Sequence, residues 1–345
     1  METARPDGGH TRELDVDAAA TAVAEAEATS VDSHEEAAAM LRGIAADDVV
    51  TDESVQSALA HLSKVVSTPA TRVELSGIEL DSAREDASEV ADVPTVAARL
   101  DRFAAEVARI ESAVEALDDD LRALTDRATG GPVADRSTGS EAPELYEIAA
   151  ERRRIHSEAT RLQGAADELT TEIESFRRWL SQATVRRGEL REDAEELDRT
   201  AETLEADVAA LVGADTDDQN DGLPENDAEA WFDCVLRHRV LALQAEDLRA
   251  AAADTETVNE RLGVDPEAAA LDDVRELVGT VRTRLDETVD RLDTVARPEW
   301  RDRFSRKLEA FEGKLSSVAP PVEWAAVLTA LNEARGDCRS STRTP

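Results

Sequence analysis

The stretch that decides the fold is residues 145–211, which read LYEIAAERRRIHSEATRLQGAADELTTEIESFRRWLSQATVRRGELREDAEELDRTAETLEADVAAL. Alternating steps of three and four residues from Leu145 to Leu211 meet an apolar side chain everywhere except at Arg152 and Arg187. The aliphatic stems of these two arginines can lie along an apolar seam. A repeat of 3.5 residues predicts one helix, roughly 100 Å long, that supercoils around a partner helix.

Other segments of the chain carry similar patterns. A second seam with the same spacing runs from Val93 to Leu124, and Pro94 suits the first turn of its helix. Asp52 is the predicted cap of a helix that we expect to end before Pro69. The pattern at 73–80 is ambiguous, and we favour a helix there. Further helices are predicted at 231–248, 266–295, 300–318 and 324–331.

These patterns predict an all-α fold, built as an elongated antiparallel coiled-coil rod with small helical end domains. The predicted parts are a polar tail or marginal helix at 1–33, a small helical N-terminal domain at 34–90, long coiled-coil helices at 91–296 with loops at 129–144 and 213–227, a C-terminal helical cap at 297–335, and a polar tail at 336–345. A homodimer through the coiled coil would satisfy the same seams.

The charge of the chain is strongly acidic. It has 77 acidic and 39 basic residues, a net charge of −38, and only three lysines, Lys64, Lys307 and Lys314. Dense carboxylates with few lysines and many alanines are typical of proteins from halophilic archaea, where molar salt screens charge repulsion within a few Å. This charge disfavours nucleic acid and anionic membranes as partners.

The ends and the cysteines of the chain favour a cytoplasmic location. No stretch is long and apolar enough for a transmembrane helix, and the first ten residues lack the apolar region of a signal peptide. Cys234 and Cys338 are far apart in sequence, which suits a reducing compartment better than a disulfide scaffold.

No pattern of residues predicts catalysis, a cofactor or a metal. Cys234 and His238 have the spacing of two ligands on one helix face, but no other Cys or His is near them in sequence. We therefore expect a buried cysteine beside a histidine that sets helix register. Phosphate-binding, dinucleotide-binding and nucleophile motifs are absent from the sequence, so we expect a non-enzymatic protein.

Arginine groups are the remaining candidates for contacts. Those at 152–154, 177–178 and 186–187 are expected to pair with carboxylates of neighbouring helices. The segment from 297 to 307 is unusual because cations outnumber Glu299 and Asp302 there and aromatic residues lie between them. Its candidate contact residues are Arg297, Trp300, Arg301, Arg303, Phe304, Arg306 and Lys307. We favour a short helix that docks on the acidic rod as a cap, and the alternative is a site for a partner or nucleic acid.

Four stretches carry a resemblance to a known family: LAHLSKVVSTPATRVEL (59–75), LRHRVL (236–241), ARPEWRDRF (296–304) and PPVEW (320–324). With these, the chain from about residue 38 to 335 resembles the haloarchaeal family called "halo transducer protein". The resemblance implies kinship with the coiled-coil signalling domains of haloarchaeal sensory transducers. Unlike those transducers, this sequence has no transmembrane helices and no recognisable signalling hairpin tip.

The function we expect is therefore that of a non-enzymatic cytoplasmic coiled-coil scaffold or signalling-associated protein of a halophilic archaeon. It would bind a protein partner that the sequence does not identify. The alternative is a chromosome-associated coiled-coil protein without an ATPase head of its own.

Overall fold

A computed structural model provides the structure of the chain and describes residues 13–26, 32–129, 141–214, 225–265, 267 and 270–340. Within these residues the chain forms ten α-helices and a single two-stranded sheet, which confirms the all-α prediction. The predicted loop at 129–144 lies mostly outside the described residues, as do most of the loop at 213–227 and residues 341–345 of the predicted C-terminal tail. The prediction of a tail from residue 336 is wrong for residues 336–340, which continue the last helix.

The elements follow in this order: β1 (Leu14–Asp15), α1 (Val16–Ala26), α2 (Asp32–Leu41), β2 (Val49–Val50), α3 (Asp52–Asp86), α4 (Pro94–Thr129), α5 (Glu141–Ser181), α6 (Ala183–Ala214), α7 (Glu225–Arg261), α8 (Asp272–Val295), α9 (Pro298–Leu315) and α10 (Trp324–Ser340). They belong to two compact units. Unit 1 comprises Met1–Ala83 with Asp101–Ser175, and unit 2 comprises Arg84–Leu100 with Phe176–Pro345.

Unit 1 is built around α3, α4 and α5, which run alternately up, down and up. Between α4 and α5, Arg102 pairs with Glu172 and Asp120 pairs with Arg154, so these two helices are antiparallel. Between α3 and α5, Arg72 pairs with Asp167 at 3.4 Å and Asp86 pairs with Arg177 at 2.7 Å. Between these pairs, the Oγ of Ser76 donates to the carbonyl of Ala166 at 3.1 Å, so all these contacts join residues 90 to 95 positions apart. Since that offset stays nearly constant, α3 and α5 are parallel.

The start of unit 1 is more ordered than the polar tail or marginal helix that its sequence predicts. Residues 16–26 form α1, which buries Val16, Ala19, Ala20 and Val23. The Oδ1 of Asp15 accepts the backbone N–H groups of Asp17 and Ala18 at 3.0 Å and so caps this helix. A helix of small residues gains its stability here from a packed face.

A tight two-residue turn lies directly before β2, whereas α1 and α2 lie between the two strands of unit 1. β1 pairs with β2 in antiparallel register, and an isolated bridge joins Ala46 to Val49. Between Ala46 and Val49, the residues Asp47 and Asp48 have φ angles of 50° and 59°, the left-handed values that a two-residue hairpin turn requires. Asparagine and glycine are the usual residues at such positions, so an Asp-Asp turn is uncommon.

Two predictions about α3 are wrong. The cap is Thr51, because its Oγ1 accepts the N–H of Ser54 while the Oγ of Ser54 accepts the N–H of Thr51. The helix also continues through Pro69 to Asp86. A proline inside a helix costs about 3 kcal/mol. The helix buries apolar side chains on both sides of the proline, namely Leu62, Val66, Val73 and Leu80. Burial of each such side chain stabilises the fold by about 1.5–3 kcal/mol.

Unit 2 contains a second three-helix arrangement, formed by α6, α7 and α8. Three ion pairs between α6 and α8 join residues that are all 86 positions apart: Arg187–Asp273 at 2.9 Å, Asp198–Arg284 at 2.6 Å and Glu205–Arg291 at 3.0 Å. This constant offset shows that α6 and α8 are parallel. The helix between them, α7, is antiparallel to both.

The predicted single helix over 145–211 is interrupted at Gln182, where α5 ends and α6 begins. In a continuous helix the carbonyls of Trp179 and Leu180 would accept N–H groups from residues 183 and 184. Here the Nη1 of Arg186 donates to both carbonyls, at 2.5 and 2.8 Å. The seam changes with the break, because Trp179 and Arg186 are buried while Arg187 is only partly buried.

Candidate partner-binding site

The basic and aromatic segment from Arg297 to Lys307 forms the first half of α9. Arg297 is the extended residue before the helix and Pro298 is in its first turn, a position that favours proline. Trp300, Phe304 and Phe311 follow at helical spacing and are all buried. The aromatic side chains of the segment therefore face the core of unit 2.

The aromatic face of α9 packs on α7. The rings of Phe304 and Phe232 are stacked with centroids 4.4 Å apart, and Trp231 lies 6.2 Å from Trp300. The Nε1 of Trp231 also donates to the carbonyl of Leu292 in α8 at 3.1 Å. Aromatic pairs add about 0.5–1.5 kcal/mol beyond the area that they bury, so this cluster stabilises the docking of α9.

Three of the basic residues contact groups within unit 2. Arg297 lies 5.3 Å from the ring centroid of Trp300. Arg301 donates to the backbone carbonyl of Asp293 at 2.7 Å, at the end of α8. Arg303 pairs with Glu229 of α7 at 3.1 Å and lies over its neighbour Phe304. Arg301 and Arg303 therefore connect α9 to α8 and α7.

Arg306 differs from these neighbours. Its side chain is exposed, and among the described residues it forms no ion pair. Lys307 is half-buried and has a contact of its own. Of the seven candidate residues, Arg306 is thus the one that offers an unpaired charge to solvent.

A groove of about 280 Å³ lies between α7, α8 and α9. Trp231, Val235, Leu292 and Leu308 contribute apolar surface to it. Two ion pairs border the groove, Arg239 with Glu312 at 2.9 Å and Arg301 with Asp293 at 3.5 Å. Such a groove can take an apolar side chain and presents charges of both signs to the polar ends of a ligand.

Cys234 and His238 lie on the buried side of α7. The Nε2–H of His238 donates to the carbonyl of Leu285 at 3.0 Å, and burial lowers the pKa of this imidazole. Burial also raises the pKa of the Cys234 thiol to about 11. In the described part of the chain, no group of three His, Cys, Asp or Glu side chains is placed to hold a metal ion.

A second cluster in unit 2, at the helix break, was not identified from the sequence. The guanidinium of Arg99 lies 4.7 Å from the ring centroid of Trp179, which stacks on Phe176, and Arg99 pairs with Glu189. Arg186 is 1% exposed, its Nε donates to the Oδ1 of Asn259 at 2.9 Å, and burial lowers its pKa. One signal was available in the sequence, since residues 175–188 contain four arginines and no acidic residue.

Comparisons with known proteins return no relative for this chain: no family model, no curated protein and no solved structure matches it. None of the helices described is long and apolar enough to cross a membrane.

Proposed function

We propose that the chain is a non-enzymatic coiled-coil scaffold, a signalling-associated protein of the transducer-like kind from the cytoplasm of a halophilic archaeon. The observation that carries this proposal is the length and packing of the six helices α3 to α8, which have 24 to 41 residues each and bury apolar residues at heptad-like spacing. Long helices held in register by ion pairs are suited to presenting binding surfaces at fixed distances. The resemblance to the transducer-like family supports the signalling role.

The elongated form of the scaffold is part of this proposal. A helix of 41 residues, the length of α5, spans roughly 60 Å by itself. We propose that α5 and α6 together keep the rod predicted for residues 145–211, which is roughly 100 Å long, so small-angle scattering in molar KCl should give a maximum dimension near or above ~100 Å. A profile with the compact radius normal for 345 residues would contradict it.

Within the scaffold, we assign α9 the part of a structural cap and Arg306 the part of a partner contact. Arg303→Glu places a carboxylate beside Glu229, so it should lower the melting temperature and leave partner binding unchanged. Arg306→Glu should leave melting unchanged, because the side chain has no ion pair in the described chain. Partner binding should weaken in this second variant.

The test is a pull-down with the tagged full chain from a lysate kept at native salt, compared across variants. Arg282→Glu is the matched control, since Arg282 on α8 is also exposed and also forms no ion pair among the described residues. A partner lost with Arg306→Glu but kept with Arg282→Glu supports the assignment. Recovery of DNA and chromosomal proteins instead of signalling proteins would favour the chromosome-associated alternative. A partner retained by every variant would refute the role of Arg306.

A further inference from the structure

The longest stretch without a carboxylate in this acidic chain lies on α3. Residues 54–73 contain no Asp or Glu, although acidic residues make up 77 of the 345 in the chain. Lys64, one of only three lysines, is in the middle of this stretch. Acidic residues occur in α3 before and after this stretch, so the carboxylate-free surface is confined to its first two thirds.

The stretch without carboxylates includes residues on the outward face of α3 as well as residues on its buried face. The inner side of α3 buries Leu62, Val66 and Val73 and bonds to α5 through Ser76. On the opposite side is a row that we call the outward stripe: Ala60, Lys64, Ser67, Thr71, Leu75 and Ile78, all exposed. Leu75 is 45% and Ile78 is 55% exposed, and they are two of the four large hydrophobic side chains that stand exposed among the described residues.

The hydroxyl groups of the outward stripe are already bonded within the helix. The Oγ of Ser67 donates to the carbonyl of Lys64 at 2.9 Å, and the Oγ1 of Thr71 donates to the carbonyl of Ser67 at 3.3 Å. Covering these hydroxyls therefore leaves no donor without an acceptor, which keeps the cost of removing them from water low. Small residues also allow another helix to approach closely.

The outward stripe is complementary to itself when two copies are antiparallel. A two-fold axis that crosses the outward stripe midway between Ser67 and Thr71 places Ala60 opposite Ile78, so that a small side chain packs against a large one. The same axis places Ser67 opposite Thr71 and Lys64 opposite Glu74. Neither Lys64 nor Glu74 forms an ion pair within the described chain, so both are available for a pair between copies.

We propose that the outward stripe of α3 is an interface between two copies of this chain, arranged antiparallel about a two-fold axis. Two molecules that each carry a charge of −38 repel each other wherever carboxylates face carboxylates. This face lets them meet without that repulsion, and it brings an intermolecular Lys64–Glu74 pair on each side of the axis. The interface adds to the proposed scaffold and does not depend on the partner contact at Arg306.

A small contact predicts a weak dimer. The outward stripe spans 19 residues of helix, which is roughly 28 Å, so we expect a dissociation constant on the order of micromolar. Sedimentation velocity of the full chain in molar KCl, from about 1 to 500 µM, should show a concentration-dependent dimer. Ile78→Glu should raise the dissociation constant about tenfold or more, because it brings a carboxylate to a buried contact.

The matched control is Leu328→Glu, which puts the same charge on an exposed leucine of α10, 52% exposed, in unit 2. It should leave the dimer unchanged, and far-UV melts should show both variants folded. A wild-type chain that stays monomeric at about 500 µM would overturn the proposal. So would a dimer that Ile78→Glu weakens no more than Leu328→Glu. A different protein captured through this face by a monomeric chain would overturn it too.

Cysteine cross-linking tests the antiparallel register. In a Cys338→Ser background, a mixture of Ser67→Cys and Thr71→Cys proteins should form a disulfide faster than either protein alone, since these two positions face each other across the axis. Thr160→Cys, on the exposed surface of α5, is the control and should not cross-link. Equal rates for the mixture and for Ser67→Cys alone would show that the register is wrong. A chain that does not self-associate would not refute the scaffold proposal, because small-angle scattering and the pull-down test that proposal separately.

Discussion

Replacing Arg186 by methionine should strongly destabilise unit 2. The guanidinium supplies hydrogen bonds to the carbonyls of Trp179 and Leu180 and to the Oδ1 of Asn259, and its side chain is 1% exposed. Methionine fills much of the space but leaves the two buried carbonyls without this donor, each costing about 1–3 kcal/mol, and it also removes the bond to Asn259. Because these partners are neutral, no uncompensated charge remains, and some cost is offset by no longer burying a cation. We expect the free energy of unfolding to fall by about 3 kcal/mol.

The assay is urea unfolding in molar KCl, followed by circular dichroism at 222 nm. With a slope of about 3 kcal/mol per M, the transition midpoint should fall by about 1 M. Arg187→Met is the control one residue away, because that side chain is 39% exposed and pairs with Asp273 at the surface. Arg187→Met should lower the free energy of unfolding by less than about 1 kcal/mol. Equal midpoints for the two variants would refute the role assigned to Arg186.

A double-mutant cycle separates the hydrogen bond from general packing. Asn259→Leu removes the acceptor of the Arg186 Nε–H, and the double variant should lose less stability than the two single losses combined. Strict additivity would mean that the two side chains do not interact in solution.

Three further outcomes are expected. Lowering the salt from molar to millimolar should reduce far-UV helicity, because a net charge of −38 is no longer screened, and unchanged helicity in dilute buffer would contradict the halophilic interpretation. Stability should fall between about pH 7 and 5 more steeply in the wild type than in His238→Gln. The unfolded histidine takes up a proton near pH 6.5, whereas burial lowers the pKa of folded His238 and keeps it neutral. A native Cys338→Ser protein should resist alkylation at pH 8 until urea is added, because Cys234 is buried and its pKa is about 11. Rapid alkylation without urea would show that α7 opens easily.

The apolar seams predicted the helices well because the positions of buried residues follow from helical geometry alone. The errors occur where a tertiary contact outweighs a local rule. Pro69 is tolerated because α3 buries its apolar face on both sides of it. The break at Gln182 depends on Arg186, whose acceptors are supplied by backbone carbonyls and by a residue 73 positions away. β1 and β2 are two residues each and too short for a periodic signal.

In the candidate site, too, helical spacing predicts which side chains are buried, and tertiary packing decides the rest. Spacing predicted that Trp300 and Phe304 would share one helix face, and both are buried. It could not predict which carboxylate meets which arginine, because 77 acidic residues offer many equivalent partners and packing selects among them. Arg187 pairs with Asp273 as expected of the arginine groups, whereas its neighbour Arg186 contacts no carboxylate in the described chain.

The Asp47–Asp48 turn has a consequence for the engineering of this chain. An Asn-Gly pair would suit the left-handed φ angles better, and the change should lower the backbone energy by roughly 1 kcal/mol. It would also remove two negative charges and the contact between Asp48 and Arg42, which are 3.3 Å apart. Turn geometry and surface acidity thus impose opposite demands on the same two residues. A designer who optimises this hairpin for folding in ordinary buffer makes it less acidic, and less suited to molar salt.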